Sequence, residues 1–180
     1  MSRGGTVSDL NPTSASLLGF LHEGDFTGYD LVKVARMLIG DFWSLTQSQV
    51  YRELAGLADR GLVTVGETGP RSRRPYRITE AGRAAFRDWI RRPPGGEQIR
   101  YPLLLTLAFG AHLDPDELLE FVAEQRRTHE RRLREYRDTG ATLPLDRYQR
   151  ATLAFGLRYE QAVIDWMNEL PGILGEEPPA

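Results

Sequence analysis

Arg71, Arg73, Arg74 and Arg77 crowd into one short stretch that follows Gly69 and Pro70 and is interrupted by Pro75. Like charges held so close repel one another, so the cluster is a poor stability device. Facing phosphates it is a sensible one, because each guanidinium that neutralises a phosphate releases condensed counterions. Upstream, the run beginning at Thr46, TQSQVYRELAGLADRG, opens with Gln47, Ser48, Gln49, Tyr51 and Arg52. Gln pairs bidentately with an adenine edge in the major groove, Ser bonds either base type, and Arg and Tyr suit phosphate oxygens. The chemistry these residues offer is recognition of a polyanion that also displays base edges. Tyr51 is ambiguous on sequence alone: its ring packs on the core, or its hydroxyl bonds a phosphate. The arginine-rich tip has a plain alternative too, a merely solvated turn.

Nothing in the chain makes a convincing reaction centre. His22, His112 and His129 are scattered, without an i,i+4 partner for a metal ion. There is no G-x-S-x-G, no phosphate-binding loop and no G-x-G-x-x-G. Asp114 and Glu117 read as a helix cap and its acidic first turn. The chain has no Cys, so thiolate catalysis, disulfides and Cys-ligated metals are excluded. The expectation is no enzyme, no catalytic residue, no metal and no cofactor. Trp43, Trp89 and Trp166 are either the lining of a pocket for an aromatic effector or anchors of core and interface.

The elements that position these residues follow from caps and periodicity. Residues 1–12 are polar and aperiodic and are expected to be a disordered tail. Thr13 or Ser14 is expected to cap a helix carrying Leu17, Leu18, Phe20 and Leu21. Thr27 caps a second, with Leu31, Val34, Ala35 and Leu38 on one side, and Gly40 closes it. Thr46 caps a third, whose buried stripe is Val50, Leu54, Leu57 and Ala58, and Gly61 follows its end. Leu62–Val65 and Arg74–Ile78 read as two short strands around the Gly/Pro/Arg turn. Thr79 caps a fourth helix with Ala81, Ala85, Phe86, Trp89 and Ile90 inward. This order of helix, strand, wing, strand and helix predicts a winged helix-turn-helix over residues 13–92.

Pro93-Pro94-Gly95-Gly96 marks a boundary. Beyond it three helices are expected, near 99–111, 114–138 and 145–170, making an α-helical C-terminal domain over 97–171 with a flexible tail at 172–180. Arg126–Arg137 reads as a charged outer face. The fold class is mainly α with a small β-hairpin wing.

Charge divides the same way. Residues 1–92 hold 13 basic and 10 acidic side chains, net +3, and residues 93–180 hold 10 and 15, net −5. The N-terminal part is the one suited to a polyanion. MSRGGTVSDLNPTS has no apolar stretch of the signal-peptide kind, and runs such as Leu103–Leu105 are far shorter than the roughly 20 residues of a membrane span. The expected location is the cytoplasm, without membrane contact.

The last helix carries two apolar stripes. One is Leu153, Leu157, Ile164 and Met167, and the other is Tyr148, Phe155, Tyr159, Val163 and Trp166. A helix apolar on two sides needs cover on both. A second copy of the chain is the expected cover, with Leu153, Leu157, Val163, Trp166 and Met167 at the dimer interface.

With these residues in view, the chain resembles the PadR family of bacterial transcriptional regulators. The resemblance rests on SLLGFLHEGDFTGYDL at Ser16–Leu31, FWSLTQSQVYRELAGLADRGLV at Phe42–Val63 and RPYRITEAGRAAFRDWI at Arg74–Ile90. It continues in PLLLTLAFGAHLDPDELLEF at Pro102–Phe121, which looks like the C-terminal domain of the longer subgroup. The resemblance implies a homodimer that binds double-stranded DNA, represses, and is released by a small hydrophobic or aromatic effector. It implies recognition-helix contacts at Gln47, Ser48, Gln49, Tyr51 and Arg52. It implies a wing over Gly69–Tyr76, with Arg71, Arg73, Arg74 and Tyr76 on DNA. The rival readings are a winged-helix module that binds protein rather than DNA, and a helical protein that only binds a small molecule.

Overall fold

The computed structural model describes residues 10–67, 74–97 and 99–175. The chain forms two compact units that divide between Gly95 and Gly96, within the Pro-Pro-Gly-Gly run.

In the first unit, α1 spans Pro12–Phe20. Its cap is Asn11, whose Oδ1 accepts from the Ser14 amide at 2.8 Å, with Pro12 at the first helical position. The expected cap at Thr13 or Ser14 is therefore corrected. Asn-Pro supplies a side-chain acceptor and a preset φ together, which neither Thr13 nor Ser14 does. Order also begins before residue 13, since Leu10 is buried in the core. Residues 1–9 lie outside the described residues. Strand β1, Phe26–Thr27, leads directly into α2, Gly28–Ile39. Thr27 and Asp30 cap α2 reciprocally: Asp30 N donates to Thr27 Oγ1 and Thr27 N to Asp30 Oδ2.

After a single 3-10 turn at Gly40–Trp43 comes α3, Gln47–Asp59, which buries Val50, Leu54 and Leu57. Gly61, at φ 67°, takes the left-handed conformation that ends it. β2 is Val63–Val65, β3 is Pro75–Ile78 and α4 is Glu80–Ile90. The sheet is antiparallel, in the order β1-β3-β2. Leu17, Leu18, Leu21, Leu31, Leu54 and Leu57 form the centre of the core beneath it.

The inward stripe of α4 is Gly82, Ala85, Phe86 and Trp89, whereas Ala81 and Ile90 are exposed. This corrects the expected stripe, and the cause is a close approach. A Cβ at Gly82 would lie 2.1 Å from the Leu62 carbonyl oxygen, so only glycine lets α4 settle on the start of β2.

In the second unit, α5 spans Pro102–Ala108, a 3-10 turn spans Gly110–His112, α6 spans Pro115–Thr142 and α7 spans Arg147–Gly175. Asp114 caps α6, accepting from the Asp116 amide at 2.9 Å. Helices α6 and α7 pack against each other, and Leu103, Val122, Met167 and Leu170 make the core. Arg126–Arg137 is not wholly an outer face, because His129 and Leu133 point inward on that stretch. Helix α7 runs past the expected end near 170 to Gly175, passing through Pro171. Residues 176–180 lie outside the described residues. Among the described residues no helix is long and apolar enough to cross a membrane.

Candidate nucleic-acid interface

The start of α3 is held by a reciprocal cap. Gln49 N donates to Thr46 Oγ1, while Gln49 Oε1 accepts from Thr46 N at 3.1 Å and Thr46 Oγ1 at 3.0 Å. The carbonyl of Gln49 is thus committed to the helix, and its amide NH2 is the part left to reach outward. Gln47, Ser48, Tyr51 and Arg52 are exposed on the same turn and a half. Arg52 lies 3.4 Å from Glu53 Oε1. Glu53 in turn accepts from Asn11 Nδ2 at 2.9 Å and Ser14 Oγ at 2.7 Å. Those two bonds, Asn11 first, hold its carboxyl below the usual range and fasten α1 to the flank of α3.

The base of the wing is a three-stranded sheet. Val65 and Phe26 both stand opposite Tyr76, one on each side of β3. Tyr76 is half-buried on the face it shares with Ile78, and Arg74 is exposed just before the strand. Burial pushes the Tyr76 hydroxyl pKa up, Tyr51 nearby adds to the rise, and Arg74 opposes it. Helix α3 and strand β3 therefore bring Tyr51, Tyr76 and Arg74 into one neighbourhood. Arg71 and Arg73 lie outside the described residues.

Arg77 does not join this group. Its Nε donates to Asp25 Oδ1 and Oδ2 at 2.9 and 3.0 Å, and its Nη2 to Oδ2 at 2.5 Å. The expectation of four phosphate-facing wing arginines is corrected to exclude it. Sequence reasoning missed both Asp25 and β1, because a two-residue strand has no periodicity to read.

The tryptophans fall in different places. Trp43 is exposed on the 3-10 turn, Trp89 is half-buried against the first unit's core, and Trp166 is half-buried in the second, 6.1 Å from the Tyr101 ring. Leu153, Leu157 and Val163 keep partial exposure, and open grooves on α6 and α7 are lined by Leu153 and Leu157. Met167 is filled in by its own unit's core, which corrects its placement at the dimer interface.

The second unit also holds a buried polar set that the sequence reading passed over. His129 is 2% exposed and Glu160 1%. His129 Nδ1 lies 2.5 Å from Glu160 Oε2, and His129 Nε2 lies 3.1 Å from Tyr101 Oη. The set joins the cap of α5 to α6 and α7. Burial, then Tyr159 and Glu160, push the Tyr101 hydroxyl up to about 12. The available signal was positional: Val122, His129 and Leu133, like Gly156, Glu160 and Ile164, keep helical core spacing. Among the described residues no group of three or more His, Asp or Glu could hold a metal ion.

Known proteins share both units. Residues 17–88 match the PadR-like family of transcriptional regulators, and residues 99–174 match the C-terminal domain named virulence activator alpha. The negative transcriptional regulator PadR of Bacillus subtilis is 30% identical over 122 residues, covering 66% of this chain and 67% of that protein. The structure of the virulence activator AphA of Vibrio cholerae is similar with a TM-score of 0.69 and 29% identity, covering 90% of this chain and 97% of that one. Bacillus subtilis PadR in complex with operator DNA shares the fold with a TM-score of 0.74 at 23% identity, covering 91% and 99%. The same protein in complex with p-coumaric acid gives 0.66 at 23%, covering 93% and 99%. The winged unit, the helical unit that follows it in sequence and the extent of these matches lead to one assignment: the chain belongs to the PadR-like family of transcriptional regulators.

Proposed function

We propose that this regulator binds a pseudo-palindromic operator as a homodimer in the cytoplasm, represses transcription there, and is released by a small hydrophobic or aromatic effector. The observation that carries the DNA-binding reading is the capped, polar, exposed start of α3 set beside a braced wing strand. In this reading Gln47 and Ser48 read base edges, and Gln49 contributes its amide NH2. Tyr51, Arg52, Arg74 and Tyr76 hold phosphates, joined by Arg71 and Arg73. Residues 13–92 are the DNA-binding domain and 97–171 the dimerisation domain, each copy placing one reader on a half-site about one helical turn from the other. The effector pocket involves Trp43, Trp89 or Trp166. The protein acts by binding and does no chemistry of its own.

The supporting analogy is that a family relative is known in complex with operator DNA and with p-coumaric acid. The test is selection of genomic fragments by the full-length chain, followed by affinity measurement over a range of salt. The expected result is enrichment of an inverted repeat and a log–log salt slope of about −0.9 per phosphate contact. Failure to retain any fragment, or binding indifferent to salt, would overturn it.

A further inference from the structure

We propose that Gly28 is a positioning residue for DNA binding: its missing side chain is the seat on which the Tyr51 ring lies, and the seat aims the Tyr51 hydroxyl at the phosphate backbone. This inference rests on the DNA-binding reading above. A Cβ built on Gly28 would stand 2.6 Å from Tyr51 Cε1, 2.9 Å from Cζ and 3.1 Å from Cδ1. Carbon atoms do not approach so closely, so the ring occupies space that any other residue at position 28 would claim. The backbone gives glycine no separate reason to be there. Gly28 opens α2 in a helical conformation, and among the described residues the positive φ values belong to Gly24, Gly40 and Gly61.

The seat is also rigid. Thr27, its neighbour, is both the cap of α2 and a partner of Pro75 in the sheet, and Asp25 holds Arg77 two residues further back. Any shift of position 28 relative to the wing strand would break these bonds. Tyr51 itself remains 44% exposed, so the contact covers one side of the ring and leaves the rest open to solvent or ligand. A ring packed for stability alone is usually enclosed. One seated on a glycine at the mouth of a recognition surface, beside Tyr76 of the wing, is held at a chosen angle.

Two effects of Gly28→Ala can therefore be separated. Alanine is a better helix former than glycine, which offsets the packing lost when the ring is displaced. The ring, at the end of a side chain with rotatable bonds, must swing off the seat and take its hydroxyl with it.

The experiment uses the full-length chain and a fluorescein-labelled random-sequence duplex about 30 bp long, enough for two half-sites one turn apart, at low salt. Random sequence isolates backbone contacts from base readout. Gly28→Ala and Tyr51→Phe are each expected to raise Kd about tenfold, the effect of one hydrogen bond to a charged group. The salt slope stays unchanged, because no cation is lost. Gly28→Ala is expected to melt at or above the wild-type temperature. In a Tyr51→Ala background, which has no ring to displace, Gly28→Ala is expected to add no further loss. Wild-type affinity for Gly28→Ala, or a full additional loss on Tyr51→Ala, overturns the seat. Should Gly28→Ala lower the melting temperature, Tyr51→Phe decides, since it keeps ring and seat intact and undiminished binding by it overturns the proposal. A wild-type chain that does not bind the duplex overturns the DNA-binding reading itself.

Discussion

Arg77 holds both carboxylate oxygens of Asp25, and this pair ties the residue before β1 to the strand that carries the wing. The Arg77 side chain is largely exposed and that of Asp25 partly so, and the pair contributes little to global stability. Its effect is local, in fixing the wing strand against the start of α2.

Arg74 and Arg77 should therefore behave differently despite lying three residues apart. Arg74→Ala is expected to weaken binding to specific and random DNA alike and to lower the salt slope by about 1. Arg77→Ala is expected to leave the slope unchanged. Titrations of both variants at four or five salt concentrations check this, and equal slope changes would place Arg77 on DNA after all.

The two glutamines of α3 should separate as well. Gln47→Ala is expected to cost about 1–3 kcal/mol on the preferred operator and to relax preference at one base position. Gln49→Ala removes the capping-box partner and is expected to lower stability by about 0.5–1 kcal/mol, visible in urea unfolding without DNA. A Gln49→Ala variant of unaltered stability would mean that the Gln49 side-chain half of the cap contributes nothing.

Stability should depend on pH at both ends of the scale. Asp25 and Glu53 have carboxyls held below their usual range, the first chiefly by its bond from Arg77 and the second by Asn11 and Ser14. Their contribution is present above the unfolded carboxyl pKa of about 4 and is lost as pH falls through the lower folded values. Tyr101, raised to about 12, behaves in the opposite sense. Its contribution is complete below the unfolded value of about 10 and is lost as pH rises through the folded one. Thermal melts are expected to show Glu53→Gln flattening the acid limb and Tyr101→Phe flattening the alkaline limb. An acid limb identical in Glu53→Gln and wild type would remove Glu53 from this account.

Removing Glu160 should be among the most damaging single changes in the second unit. Glu160→Ala strands His129 Nδ1 in a dry core and leaves a void, together about 3–5 kcal/mol. Glu160→Gln keeps an acceptor oxygen and is expected to cost distinctly less. Chemical denaturation monitored at Trp166, in a variant lacking the other two tryptophans, would report it. Equal losses from Ala and Gln would show that the hydrogen bond is not what matters.

Apolar side chains on the second unit bear on its assembly. Leu105 is 66% exposed and Phe155 57%. A pair of such units is expected to cover part of this surface, giving a sedimentation mass of twice the 20.4 kDa chain. Leu105→Ser with Phe155→Ser should shift the mass toward one chain and weaken DNA binding, since two tethered readers outbind one. A wild-type mass of 20.4 kDa at micromolar concentration would end the dimer proposal.

The sequence was most readable where one local signal sufficed. Thr27, Thr46 and Thr79 cap the helices they were expected to cap, and Val50, Leu54 and Leu57 form the stripe they were expected to form. It was least readable where a feature depends on a distant segment. β1 exists only through its register with Pro75 and Tyr76, and the role of Arg77 depends on Asp25, 52 residues away. His129 and Glu160 occupy core positions by spacing, but their polarity disguises them, because Glu160 is satisfied by His129 and His129 by Glu160 and Tyr101. Gln49 illustrates a third limit: its type suits base readout, while its cap shows that one end of the side chain is already engaged.

The strand order β1-β3-β2 also sets a schedule for synthesis. A chain emerging N-terminus first completes α1, α2 and α3 while the central strand of its sheet is still unmade. β2 and β3 then close a local hairpin, but β1 must wait for a partner some fifty residues downstream, a slow class of contact because loop closure precedes any reward. Until Pro75–Ile78 is available, Phe26 and Thr27 present an unpaired edge of the kind that invites wrong partners. The nascent protein thus has its recognition helix before the brace beside it, and becomes a competent reader only when residues 75–78 are in place.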